Sequence, residues 1–133
     1  MSKIEDKIKQ VEEYLDKLMS NIPANFGEYA KNDILKRGCE RYFEMIVEAV
    51  LDISFMIINI RKFETPGDDL DAFEILKNNK VISEQLHIKL KEAKGMRNFI
   101  IHQYERINDR LVYDAIKNEL KRDIEEFLKD VEK

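Results

Sequence analysis

Apolar residues recur along this chain at alternating four- and three-residue steps. Ile4, Ile8, Val11, Leu15, Leu18 and Ile22 make one such stripe, the spacing that gathers side chains on a single helix face. The cluster Asn21-Ile22-Pro23-Ala24-Asn25 ends this first helix, because proline lacks an amide donor and restricts the residue before it. A longer helix is predicted from Asn32 or Asp33, either able to cap it, to about Lys62. Leu35, Cys39, Tyr42, Ile46, Val50, Ile53, Ile57 and Ile60 line one of its faces, and Phe43, Val47, Leu51, Phe55 and Ile58 much of another. Two apolar faces predict a central helix, about 45 Å long, packed on both sides. Gly38, near its start, lowers helix propensity slightly.

Glu64-Thr65-Pro66-Gly67-Asp68-Asp69 is the clearest break. Its acids favour the start of a short helix from about Leu70 to Asn78, carrying Phe73, Ile75 and Leu76. Ser83 can cap a fourth helix through about Gln103, and Asn108 or Asp109 a fifth, with Tyr113, Ile116, Leu120, Ile124, Phe127 and Val131 facing inward. No alternating strand pattern, internal repeat or low-complexity tract interrupts this reading. The pattern predicts an all-α antiparallel bundle of four long helices and one short one, in a single domain over residues 1–133.

Composition sharpens that picture mainly by exclusion. Of 133 residues, 23 are basic and 27 acidic, a net charge of −4 that argues against a generic DNA-coating role. A core can form at this length without disulfides or metals. Cys39 is the single cysteine, so neither a disulfide framework nor a Cys-based zinc site can arise within one chain. The start, Met1 to Lys7, lacks the apolar run of a signal peptide. Ile53 to Ile60, the longest nearly charge-free stretch, falls far short of the roughly 20 residues a membrane span needs. These features predict a cytoplasmic protein of a reducing compartment. Without a Glu-x-x-His pair, a di-iron bundle is a poor fit, as are haem and flavin bundles, and no cofactor is expected.

Candidate chemistry is concentrated in the fourth helix. At about 100° per residue, Leu86, Leu90, Ala93, Arg97, Ile100 and Tyr104 share one stripe. Arg97 is thus centred in an apolar seam, where an unpaired charge is costly; the plain explanation is snorkelling to the rim or pairing with an acid. Gly95, Asn98 and His102 mark the opposite face, flanked by Ile88 and Phe99. A glycine there admits the close approach of another backbone, which predicts a second packing contact. Between Lys89 and Arg110 stand six basic and three acidic residues, so this window is +3 and the remainder −7. A local basic strip suits a phosphate site, although charge alone favours an ordinary solvated face. His102 by itself reads as a surface or satisfied residue rather than a catalyst, and His87, with no supporting constellation, reads as surface.

The order Arg97-Asn98-Phe99-Ile100-Ile101-His102-Gln103-Tyr104 resembles the Arg-x4-His-x-Tyr motif of HEPN-superfamily ribonuclease toxins. It is most similar to the HepT type, which pairs with a minimal nucleotidyltransferase (MNT) antitoxin. The likeness extends over nearly the whole chain, including Glu40-Arg41, Glu48-Ala49-Val50-Leu51-Asp52-Ile53 and Glu105-Arg106-Ile107-Asn108-Asp109. It implies an all-α homodimer whose two motifs face a shared cleft and cut RNA without a metal ion. Carried over residue by residue, Arg97 and His102 are the catalytic pair, Asn98 is the polar residue that supports them, and Tyr104 is the tyrosine the antitoxin adenylylates. Asp52 resembles an acidic position of the second helix and is read as structural.

The chemistry is coherent on its own terms. Metal-free RNA cleavage uses the substrate's 2′-hydroxyl as nucleophile and leaves 2′,3′-cyclic phosphate ends. The enzyme supplies a proton-transfer group of the imidazole type and a fixed guanidinium against the charge of the phosphorane. Five residues along an ideal helix place Arg97 and His102 about 140° apart. Either the helix ends or distorts near Ile101, or each centre draws on two subunits; a composite site at a two-fold interface is favoured. Tyr104, seven residues from Arg97, lies about 20° away, so adenylate there would put bulk and negative charge beside the cation. Two rival readings are a HEPN-like binding module without activity that docks a nucleotidyltransferase, and a plain bundle whose polar residues serve only a dimer seam.

Overall fold

A computed structural model of the protein describes residues 3–67, 69–102 and 107–133, with the backbone alone at 69–71. All regular structure among them is helical: α1 (Lys3–Asn21), α2 (Phe26–Lys31), α3 (Asp33–Ile60), α4 (Asp69–Asn78) and α5 (Glu84–His102). A last rod follows, α6 (Asp109–Ala115), a π-helical turn (Ile116–Leu120) and α7 (Lys121–Val131). The predicted all-α bundle is present. The expected end of the fourth helix at Gln103 lies outside the described residues.

Local chemistry sets most boundaries. Side-chain oxygens of Asn32, Ser83 and Asn108 accept from the backbone N–H groups of Leu35, Leu86 and Leu111 at 3.0, 3.0 and 3.1 Å, satisfying donors that a helix start leaves unpaired. The stretch between the first two predicted helices, to which the sequence pattern assigns no element, contains α2. Asn25 caps it by accepting from the Glu28 N–H at 2.9 Å. Tyr29 is wholly buried from α2, its ring tilted against Tyr113 at 5.1 Å between centroids, and the Tyr113 hydroxyl donates to the Pro23 carbonyl at 2.7 Å. Six residues are too few to display a helical period, so the pattern of the sequence passes over them.

The 28-residue α3 is the spine, about 42 Å long at 1.5 Å per residue. It packs against α1, α2, α4 and α5. Phe43, Ile46, Val47, Val50, Ile53 and Ile57 are buried on it, and burying each such side chain contributes roughly 1.5–3 kcal/mol. Ile60 departs from its predicted stripe: it is the last residue of α3 and 64 % exposed, protruding beyond the packed neighbours. In the last rod Tyr113, Ile116, Leu120, Ile124, Phe127 and Val131 all face the core as predicted. Lys36 Nζ lies 2.9 Å from Asp109 Oδ2 and fastens the start of α6 to the start of α3.

Candidate active site on the fifth helix

Helix α5 carries three of the four predicted site residues; Tyr104 lies outside the described residues. Leu86, Leu90 and Ile100 are buried and Ala93 is half-buried, so the predicted seam is the one that meets the core. Arg97 enters at the edge of that seam, with 17 % of its side chain exposed. Its Nη2 is 3.8 Å from Glu48 Oε2 on α3, too far for a hydrogen bond though close enough for attraction. Its Nε is enclosed and has no hydrogen-bond partner. The guanidinium is therefore held by one loose ion pair and by its neighbour Asn98, whose Oδ1 accepts from Nη1 at 3.4 Å. Both plain explanations of a seam arginine are partly realised, and neither consumes its donors.

His102 is exposed in the last turn of α5. Because α5 stays helical from Arg97 through His102, the offset of about 140° stands within one chain. The structure places the two groups on one helix and does not bring them onto one face. Around the opposite face, Ile88 and Phe99 are 48 % and 46 % exposed, and Ile101, about 40° from Arg97 on the helix, is 39 % exposed. A Cβ added at Gly95 would meet nothing within 4 Å, so the close approach expected at this glycine is not made by the chain itself. His87, expected at the surface, is half-buried with its Nδ1 enclosed and unpartnered.

The basic strip is less open than a count of charges suggests. Lys89 is paired with Glu119 and lies 3.7 Å from Glu92. Arg110 pairs with Asp114 at 3.3 Å and rests over the Phe26 ring. Lys94 is 94 % buried, and its ammonium donates to Asn98 Oδ1 at 3.1 Å. In the sequence Lys94 reads only as one of six strip cations, and its place one turn before Asn98 is the signal that sets it apart. Asp52, read as structural, forms an ion pair with Lys7 of α1 at 3.3 Å.

Among the described residues no three His, Cys, Asp or Glu side chains are grouped to hold an ion. Cys39 is buried, and burial pushes its thiol up to about 11, which keeps it an inert core residue. A cleft of about 810 Å³ lined by Arg61, Lys77, Lys80 and Glu126 lies near Ser83 and Glu84, at the opposite end of α5 from His102. Among the described residues no helix is long and apolar enough to cross a membrane.

The fold and this helix define a class: a helical bundle that presents an arginine, an asparagine and a histidine from one late helix. Residues 4–131 match the family described as ribonuclease HepT-like. The chain belongs to that HepT-like family. It is 31 % identical over 81 residues to an mRNA nuclease HepT of Shewanella oneidensis, covering 61 % of this chain and 60 % of that one. It is 25 % identical over 113 residues to a tRNA nuclease HepT of Aphanizomenon flos-aquae, covering 85 % and 77 %. Its fold matches a solved structure of a tri-AMPylated Shewanella oneidensis HEPN toxin in complex with an MNT antitoxin, with a TM-score of 0.91. That match has 22 % identity and covers 99 % of this chain and 98 % of the other.

Proposed function

We propose that this chain is a metal-independent endoribonuclease toxin, one HEPN-like domain acting as a cytoplasmic homodimer. Arg97 and His102 are its catalytic pair, Asn98 supports them, and Tyr104 is the hydroxyl that an MNT-type nucleotidyltransferase antitoxin adenylylates. Family membership over residues 4–131 supports the ribonuclease activity. RNA as substrate is supported by relatives named as mRNA and tRNA nucleases. The partner and the modification are supported by the fold neighbour described as an AMPylated toxin bound to an MNT antitoxin.

The observation that carries the reading is the state of Arg97. A guanidinium at the rim of an apolar seam, 17 % exposed and only loosely paired, is costly to the fold and keeps donors for an anion. In the reaction the RNA 2′-oxygen attacks phosphorus as its proton leaves, and the bond to the 5′-oxygen breaks as that oxygen gains a proton. His102 moves one of these protons. Arg97 opposes the negative charge gathering on the phosphorane. The products are a 2′,3′-cyclic phosphate and a 5′-hydroxyl, and DNA, without the nucleophile, is not cut. The exposed Ile88 and Phe99 beside the open Gly95 supply the face on which a second copy would sit, completing each centre from two subunits.

The purified protein is expected to cut single-stranded RNA in the presence of EDTA, leaving cyclic phosphate ends readable by mass spectrometry. His102→Ala should lose at least about a hundredfold in rate. Undiminished cleavage by that variant would remove His102 from its role. A wild type that cuts nothing yet binds the nucleotidyltransferase would establish the docking module instead.

A further inference from the structure

Lys94 is the one lysine among the buried residues of the described chain, and burying an ammonium costs stability unless something holds it. One of its hydrogen bonds runs along its own helix. Asn98 follows four residues later, about 40° around the axis, and helical side chains lean back over the preceding turn. There Lys94 Nζ donates to Asn98 Oδ1 at 3.1 Å, and Arg97 Nη1 reaches the same oxygen at 3.4 Å. Lys94 lies angularly between Arg97 and Asn98, about 60° from the one and 40° from the other. Two cations from two directions thus converge on one neutral amide oxygen.

An ammonium and a guanidinium can only donate. Whatever faces them on Asn98 must therefore be the oxygen, and the amide cannot turn over without setting its own NH2 against two cations. The NH2 becomes the outward end. The next position on this line of the helix, a further 40° and four residues on, is His102.

We infer that Lys94 is a positioning residue of the ribonuclease centre: it fixes the polarity of Asn98, so that this amide serves as a hydrogen-bond donor to a phosphate oxygen, and it steadies the Arg97 fork beside it. The inference rests on the proposed ribonuclease reading and adds to it a residue outside the motif. It explains why a lysine is buried one turn before the motif arginine, where a leucine would pack at no electrostatic cost. It also gives Asn98 a definite chemical sense. An acceptor at that position would repel the phosphate; a donor adds one neutral contact to the charge of Arg97.

Steady-state cleavage of a labelled single-stranded RNA oligonucleotide by the full chain tests this. Lys94→Met should lower kcat roughly ten- to a hundredfold, as small misplacements at an active centre do, with KM within about threefold because Arg97 still binds phosphate. Lys94→Arg should recover most of that loss. In an Asn98→Ala background, Lys94→Met should cost much less than it does in the wild type, since the part of its effect that passes through the amide is already lost. A wild-type kcat in Lys94→Met, or a fully additive loss in the double variant, overturns the inference.

Asn98→Asp tests the donor assignment even if Lys94→Met fails to fold. A carboxylate between two cations should raise the melting temperature while kcat falls, and retained kcat would show that no donor is needed. If the wild type cleaves no RNA, the proposed function fails instead. The Lys94–Asn98 link is then decided by a thermal double-mutant cycle, in which zero coupling overturns it.

Discussion

Glu40 is a carboxylate that folding removes almost wholly from water, at 4 % exposure. Arg37 donates two hydrogen bonds to it, at 2.9 and 3.0 Å. Burial nevertheless outweighs that partner and holds the carboxyl above its usual range. The folded state therefore keeps the Glu40 proton more tightly than the unfolded chain does. Its contribution is most favourable at low pH and is lost as pH rises from the ordinary carboxylate range, near about pH 4, through the folded value. Glu40→Gln has no proton to lose. Melting curves over that range should show the wild type falling relative to Glu40→Gln as pH increases, and parallel curves would contradict the assignment. The motif residues were legible at this scale because they are side chains in a linear order. The environments of Glu40 and Lys94 were not, because a charged residue on a predicted helix is ordinarily solvated.

At the scale of elements, the last rod contains the feature with the sharpest consequence. Ile116–Leu120 is a π-helical turn between α6 and α7, which amounts to one residue more than an α-helix of the same phase would need. Deleting the exposed Asn118 allows the ordinary ladder to close and leaves both flanking faces in register. Deleting the exposed Glu125 from regular helix instead rotates everything beyond it by about 100°, carrying Phe127, Leu128 and Val131 off the core. Urea unfolding should find the Asn118 deletion within about 1–2 kcal/mol of the wild type and the Glu125 deletion poorer by more than about 3 kcal/mol. Equal losses would mean that the turn is not a removable insertion. The inward stripe of this rod could be read from the sequence, but the π turn within it could not. Steps of three and four residues fit both ladders, and only the path of the backbone tells them apart.

The whole molecule turns on whether a centre is built from one chain or two. Arg97 is drawn toward α3 while His102 is exposed at the end of α5, and the helix between them is unbroken. If two copies share their centres, Arg97→Ala and His102→Ala subunits should complement each other when unfolded together and refolded. Half of the resulting dimers would be mixed, each with one intact centre, so cleavage should return to roughly a quarter of the wild-type rate. No recovery, with mixed dimers demonstrated by mass, would place both groups of a working centre in the same chain.

By itself the sequence determined the class of fold, the ends of most helices and the helix that carries the candidate chemistry. Each of these depends on residues within a few positions of one another: a period of 3.6, a capping side chain, a motif. Only the tertiary structure decided which charges of the basic strip are already paired. Lys89 meets Glu119 thirty residues away, and Arg110 is taken by Asp114 and Phe26. It also decided that Lys94 is buried in the fold and donates to Asn98 rather than being offered to solvent. Coulomb attraction and desolvation act between groups a few ångströms apart in space, and that proximity does not exist until the helices pack.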